Sequence, residues 1–125
     1  MFKILYNKCF GGFSFSDEAL EKYNELKSAA DPNYILLNAL DNIDRTDPIL
    51  IAIVEEMGDQ TNSMYSDIRI QEIPLIYKNF YEITEYDGAE QMVIHHAEYK
   101  LHAIHQIMVS DCQDKLNEIQ KILDQ

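Results

Sequence analysis

Tryptophan is absent from this chain of 125 residues, and cysteine occurs twice. Cys9 and Cys112 lie far apart and form no CxxC pair, which fits reduced thiols better than a disulfide framework or a zinc knuckle. The length is typical of a single domain, and an apolar content of 46% is sufficient for one ordinary core. We therefore expect one domain.

Basic residues are also scarce, with 10 lysines and arginines against 22 acids and a net charge of −12. The few cations are spread along the whole chain instead of forming a patch. Such a surface repels phosphate backbones and anionic membranes, which disfavours nucleic acid as a partner. The protein could instead mimic DNA through its acidic surface, although a negative surface more commonly serves solubility.

Long apolar runs are lacking as well. The start MFKILYNKCF has neither the basic residues nor the apolar stretch of a secretory signal, and no later segment approaches the 18 or so apolar residues of a membrane span. We expect an intracellular protein without a membrane segment.

Two helices are predicted in the first half of the chain. Ser16 is a good N-cap for the first helix, because acids follow it in the turn where the helix dipole favours them. In RTDPILIAIVEEMG, Thr46 or Asp47 can cap the second helix, Pro48 suits its first turn and Gly58 closes it. This second helix is apolar nearly all round, which predicts deep burial.

Alternating apolar residues predict short strands at the start of the chain and in its second half. Phe2, Ile4 and Tyr6 indicate a half-buried strand, residues 68–73 and 80–85 indicate two strands that pair as a hairpin, and residues 91–94 add another. The predicted fold is α+β: a small mixed or antiparallel sheet packed with two helices, forming a core of residues 1–94. A long amphipathic C-terminal helix occupies residues 95–125.

This C-terminal segment contains no proline or glycine from about His96 to Leu123. Its apolar residues recur at helical spacing, and those expected to form an interface are Leu101, Ile104, Met108, Cys112, Ile119 and Leu123. A helix of about 28 residues would be about 42 Å long, more than a domain of this size needs. The pattern predicts a homo-oligomer, most simply a dimer. A helix folded back on its own sheet is the alternative.

All four histidines lie in HHAEYKLHAIH at the start of this segment. On a helix, Glu98, His102 and His105 share one flank, so they are candidate ligands for zinc. The spacing matches neither HExxH nor a closed set of four ligands, and an ordinary polar flank or a pH-sensitive contact also explains it.

The stretch KCFGGFSFSDE places a glycine pair between a strand and a helix, where a phosphate could bind. The motif of a phosphate loop is missing, and two acids already occupy the helix start, so close backbone packing or a turn with positive φ better explains the glycines. Nearby aromatic rings, combined with an arginine, could stack on a nucleotide or simply fill a core. The candidate ligand residues are Tyr6, Phe10, Gly11, Gly12, Phe13, Arg45 and Arg69.

Three stretches together carry a resemblance to a known family: CFGGFSFSDEAL, RTDPILIAIVEEMGDQTN and EIPLIYKNFYEITEYDGAE. Over about residues 1–98, the chain resembles an uncharacterised family of small proteins from large DNA viruses and tailed phages. The resemblance implies a viral or proviral origin and a compact α+β core, and it brings no activity, cofactor or catalytic residue. Among the matching residues, a buried Arg45 held by an acid such as Glu56 would be more than a cap or a turn.

Taken together, these features favour a non-enzymatic binding or assembly module that self-associates through its C-terminal helix. It would bind a protein or a small ligand, and it would be located in the host cytoplasm or in the virion. The alternative is a small metal-dependent hydrolase that uses Glu98, His102 and His105 to hold zinc with an open position for water.

Overall fold

The computed structural model describes residues 1–109 and 115–125. Its fold is α+β, as predicted. The elements in chain order are β1 (Phe2–Asn7), α1 (Asp17–Ala30), α2 (Pro48–Met57), β2 (Ile68–Ile73), β3 (Tyr81–Tyr86), β4 (Ala89–Ile94), α3 (His96–Met108) and α4 (Lys115–Leu123). Two short 3₁₀ turns, Gly58–Thr61 and Leu75–Tyr77, follow α2 and β2.

The four strands form two antiparallel pairs, β1 with β2 and β3 with β4. The predicted hairpin between residues 68–73 and 80–85 is wrong, because each of these strands has a different partner. Asp87 and Gly88 have φ values of 52° and 88°, which makes a two-residue turn of the type that joins adjacent strands in register. That turn pairs β3 with the residues directly after it and leaves β2 to β1.

Both helices of the first half begin at side-chain caps. Oδ1 of Asp47 accepts hydrogen bonds from the backbone N–H groups of Ile49 and Leu50, at 2.9 and 3.1 Å. The hydroxyl of Ser16 accepts from the N–H of Ala19 at 3.2 Å. These side chains satisfy N–H groups that have no partner inside the helix, so the predicted helix starts are confirmed.

The main core lies between α1, α2 and one face of the β1–β2 pair. Leu5, Tyr23, Leu50 and Ile53 are almost completely buried there. The predicted burial of α2 is confirmed for this face, whereas the opposite side of the helix, at Ala52, Glu55 and Glu56, is exposed. The opposite face of β1 is buried at Ile4, because β4 lies against it. β1 is therefore buried on both faces and is not the half-exposed strand that its alternation suggested.

The single long helix predicted for the C-terminal segment is replaced by two shorter helices, α3 and α4, which pack on each other. The ammonium group of Lys100 donates a hydrogen bond to the carbonyl of Gln125 at 2.9 Å. In one straight helix these residues would lie about 37 Å apart, so α4 returns along α3 as an antiparallel hairpin. Cys112, one of the predicted interface residues, lies outside the described residues.

Aromatic rings fasten this helical hairpin to the rest of the molecule. The ring of Tyr99 on α3 lies 5.0 Å from the ring of Tyr77 and 5.6 Å from that of Phe80, both in edge-to-face geometry. Such pairs stabilise a contact by about 1 kcal/mol beyond their buried area. The hairpin therefore has a defined attachment next to the start of β3.

Candidate functional site

Two acceptors close the outer edge of β1, and neither is a backbone group of a neighbouring strand. The N–H of Leu5 donates to the backbone carbonyl of Arg45, and the N–H of Asn7 donates to Oε1 of Glu90, both at 2.8 Å. An uncovered strand edge invites pairing with another chain. Here a loop carbonyl and a carboxylate take up the donors, so β4 does not continue the β1–β2 sheet.

The Glu90 carboxylate is also paired with the Arg45 guanidinium. Two hydrogen bonds of 2.6 and 2.8 Å join them, and only 6% of the Glu90 side chain is exposed. The guanidinium carbon lies 3.4 Å from the centroid of the Phe13 ring, in cation–π contact. The sequence suggested a buried Arg45 held by an acid such as Glu56. An acid does hold Arg45, but it is Glu90 and not Glu56, which is exposed, and Arg45 is only partly buried.

Asn7, which is fully buried, links this pair to the neighbouring turns. Its amide nitrogen donates to the carbonyls of Cys9 and Gly88 at 2.7 and 2.8 Å, and its amide oxygen accepts from the N–H of Asp67 at 2.8 Å. Asn7 is not among the residues that the sequence predicted for a site. Its position at the end of an apolar strand, just before a loop, is one where side-chain amides often satisfy turn backbone groups.

The glycine pair packs directly against the β3–β4 turn. A Cβ atom on Gly88 would lie 2.5 Å from the nitrogen of Gly12 and 2.6 Å from that of Gly11, and both loop glycines have positive φ. Close backbone packing with positive φ therefore accounts for these glycines, as the sequence favoured. Phe10, Gly11 and Gly12 also border a shallow recess with Glu85, Asp87 and Gly88.

A groove of about 600 Å³ lies between the second face of the β1–β2 pair and β4. Its largely apolar walls include Tyr6, Phe10, Ile73, Tyr86, Met92 and Ile94. Of the predicted ligand residues, the structure brings Tyr6 and Phe10 together here. Arg45 and Phe13 lie against each other elsewhere, and Arg69 pairs with Asp67 at 2.9 Å, so neither arginine lines the groove.

Three of the four histidines contact carboxylate or aromatic groups, each with a different partner. Nε2 of His95 lies 3.5 Å from a carboxylate oxygen of Glu82, the ring of His96 contacts Tyr77, and the ring of His102 lies 5.3 Å from that of Phe80. Within the described residues, no three His, Cys, Asp or Glu side chains are placed to hold a metal ion together. The geometry thus gives no support to zinc at Glu98, His102 and His105.

The helical hairpin exposes large apolar side chains. The exposed fractions are 70% for Leu101, 63% for Met108, 84% for Leu116 and 53% for Leu123. The other predicted interface residues, Ile104 and Ile119, are half-buried, and Ile122 is buried. The predicted apolar stripe is thus divided: one part is covered within the molecule and the other faces solvent.

No protein-family model, curated protein or solved structure matches this chain. In the part of the chain that the structure describes, none of the helices has the length and apolarity to cross a membrane.

Proposed function

We propose that this chain is a non-enzymatic binding and assembly module that self-associates through the α3–α4 hairpin. The observation that carries the proposal is the spacing of the exposed apolar residues. Leu101 and Met108 are seven residues apart, and so are Leu116 and Leu123. Since seven residues make almost two turns, each pair forms a straight stripe along its helix.

The stripes lie beside the covered seam of the hairpin. With 100° per residue, Leu101 and Met108 fall next to Ile104 on α3, and Leu116 and Leu123 fall next to Ile119 on α4. A second hairpin packed on this side would extend the existing seam. The resulting arrangement of four helices related by a two-fold axis is a common form of dimer.

The charge distribution supports a second copy at this surface. Residues 95–125 contain three lysines against five acids, a net charge of −2, whereas residues 1–94 contain seven lysines and arginines against seventeen acids, a net charge of −10. Two copies that meet through their hairpins therefore bring together the least acidic parts of the molecule. Contacts between their cores would be opposed by like charge.

A viral or proviral origin, with a place in the host cytoplasm or the virion, is proposed on a separate ground. It rests on the resemblance of residues 1–98 to the viral family and is independent of the hairpin. Under this proposal, self-association would serve either particle assembly or the display of several binding sites at once.

Native mass spectrometry of the untagged protein tests the proposal. The wild-type protein is expected to show a dimer, and the double variant Leu116→Ser/Leu123→Ser a monomer. Leu75→Ser is the matched control, because Leu75 is similarly exposed but lies outside the hairpin, and it should leave the dimer intact. A monomeric wild-type protein, or a dimer that the double variant preserves, would contradict the proposal.

A further inference from the structure

Strand β4 has one open edge. The N–H of His95 donates to the carbonyl of Phe80 at 2.7 Å, and hydrogen-bonded pairs alternate along an antiparallel ladder. The N–H and C=O groups of Glu90, Met92 and Ile94 therefore point away from β3. Among residues 1–109 and 115–125, no strand other than β3 pairs with β4, so these six backbone groups lie at an edge that a further strand could occupy.

This open edge borders the groove. Ala89, Glu90, Gln91 and Met92 all line it, although successive side chains of a strand point to opposite faces. A cavity that touches four consecutive residues must run along the edge of the strand. The three outward-pointing residues span about 13 Å, the length of an extended segment of about five residues.

Glu90 is the reason why β1 does not fill this space. Its carboxylate accepts the N–H of Asn7, and the carbonyl of Arg45 accepts that of Leu5, so the edge of β1 that faces β4 has no free donor at these positions. β1 and β4 are thus kept apart. The separation leaves backbone donors and acceptors on one side of the groove and the apolar side chains of Tyr6 and Ile73 on the other.

We infer that this groove binds a short extended peptide of a partner protein, which pairs with β4 as an added strand. Backbone hydrogen bonds would provide affinity, and the apolar wall would select apolar side chains at alternate positions. This is a binding activity separate from self-association through the hairpin, and it does not depend on it.

Charge and aromatic rings indicate the chemistry of the partner. Among the residues that line the groove, the one acid, Glu90, is neutralised by Arg45, and the one base is Lys8. The acids available to a ligand are Glu85 and Asp87, which border the recess beside the groove, on a core that carries seventeen acids against seven basic residues. Phe10 and Tyr86 present exposed rings at the same end, where they can contact an ammonium or guanidinium group. The peptide class that fits alternates apolar and basic residues. A second copy of this chain is disfavoured because it would bring the same acids.

The probe is a synthetic octapeptide of alternating lysine and valine with blocked ends, added to the ¹⁵N-labelled full chain and followed by amide NMR shifts and hydrogen exchange. Binding should shift the amides of Gln71, Ile73 and Met92 and slow exchange at Glu90, Met92 and Ile94. A control peptide of the same sequence carries N-methyl groups on the backbone nitrogens that would pair with β4. It should bind at least tenfold more weakly, because these nitrogens can no longer donate hydrogen bonds to β4. A peptide with glutamate in place of lysine should also bind more weakly.

Tyr86→Ser should weaken binding of the lysine–valine peptide about fivefold, whereas Tyr65→Ser, a similarly exposed tyrosine that does not line the groove, should not. Four results would overturn the inference: no shifts at millimolar peptide, shifts confined to α3 and α4, equal binding of the N-methylated peptide, or an unchanged affinity of Tyr86→Ser. Concentration-dependent protection of Glu90, Met92 and Ile94 without peptide would also overturn it, in favour of a second copy.

Discussion

Arg45 and Glu90 are 45 residues apart in sequence and form a two-pronged ion pair with oxygen–nitrogen distances of 2.6 and 2.8 Å. The same carboxylate accepts the N–H of Asn7, and the Arg45 carbonyl accepts the N–H of Leu5. One pair of residues therefore joins the loop before α2, the edge of β1 and the start of β4. This ion pair keeps the β3–β4 pair separate from the β1–β2 pair.

Glu90→Gln should lower the free energy of unfolding by about 2 kcal/mol. Removing one charge of a buried pair leaves the other poorly compensated, and the partial exposure of Arg45 reduces the cost below that of a fully buried pair. Urea denaturation measures the change. Glu55→Gln, which breaks the exposed pair of Lys3 and Glu55, is the matched control and should change the free energy of unfolding much less, because water screens this pair. Equal effects of the two variants would refute the role of Glu90.

Gly88→Ala should be more damaging than the same change at Gly58. Both glycines have positive φ, but a Cβ on Gly58 meets nothing within 4 Å, whereas one on Gly88 would collide with the backbone of Gly11 and Gly12. We expect a loss of about 1 kcal/mol at Gly58 from backbone strain alone and about 3 kcal/mol at Gly88. Thermal and urea unfolding of the two variants provide the comparison, and similar losses would contradict the close packing of the turn.

Tyr23 should make the stability of the protein fall in alkaline solution. Burial, together with the hydrogen bond of 2.8 Å that its hydroxyl donates to Asp47, raises the pKa of Tyr23 above its ordinary value of 10. Because the folded state then holds the proton more tightly than the unfolded state, this contribution is complete below pH 10 and decreases as the pH rises above it.

The variant Tyr23→Phe isolates this effect. At pH 8, loss of the hydrogen bond to Asp47 should lower the free energy of unfolding by about 1.5 kcal/mol. Between pH 9.5 and 11, the free energy of unfolding of the variant should fall by about 1 kcal/mol less than that of the wild type. Urea titrations at pH 8, 9.5 and 11 measure these free energies of unfolding. Tyr86→Phe, at an exposed ring, should keep the wild-type slope, and a Tyr23→Phe slope equal to that of the wild type would contradict the assignment.

Local signals predicted the local structure well. The caps at Ser16 and Asp47 depend on residues a few positions apart, so their chemistry is visible in the sequence. The pairing of β2 with β1 depends on contacts about 65 residues apart, and alternation indicates a strand without indicating its partner.

The same distinction applies to the sites. The candidate ligand residues, chosen as aromatic residues and arginines, included Arg45. The sequence around Arg45 gives no sign that it pairs with Glu90, or that this pair stabilises the fold instead of binding a ligand.

The prediction of one long C-terminal helix was wrong for another reason. The absence of proline and glycine permits a continuous helix, but it does not prevent the chain from reversing direction when α3 and α4 gain contacts with each other by doing so.

Sedimentation equilibrium of the wild-type protein at about 50 and 500 mM salt tests self-association through the hairpin most directly. The stripes of Leu101, Met108, Leu116 and Leu123 predict a dimer of twice the 14.6 kDa chain mass. The dimer should be tighter at the higher salt concentration, because screening weakens the repulsion between two chains that each carry a net charge of −12. A single 14.6 kDa species at millimolar protein and both salt concentrations would contradict the account.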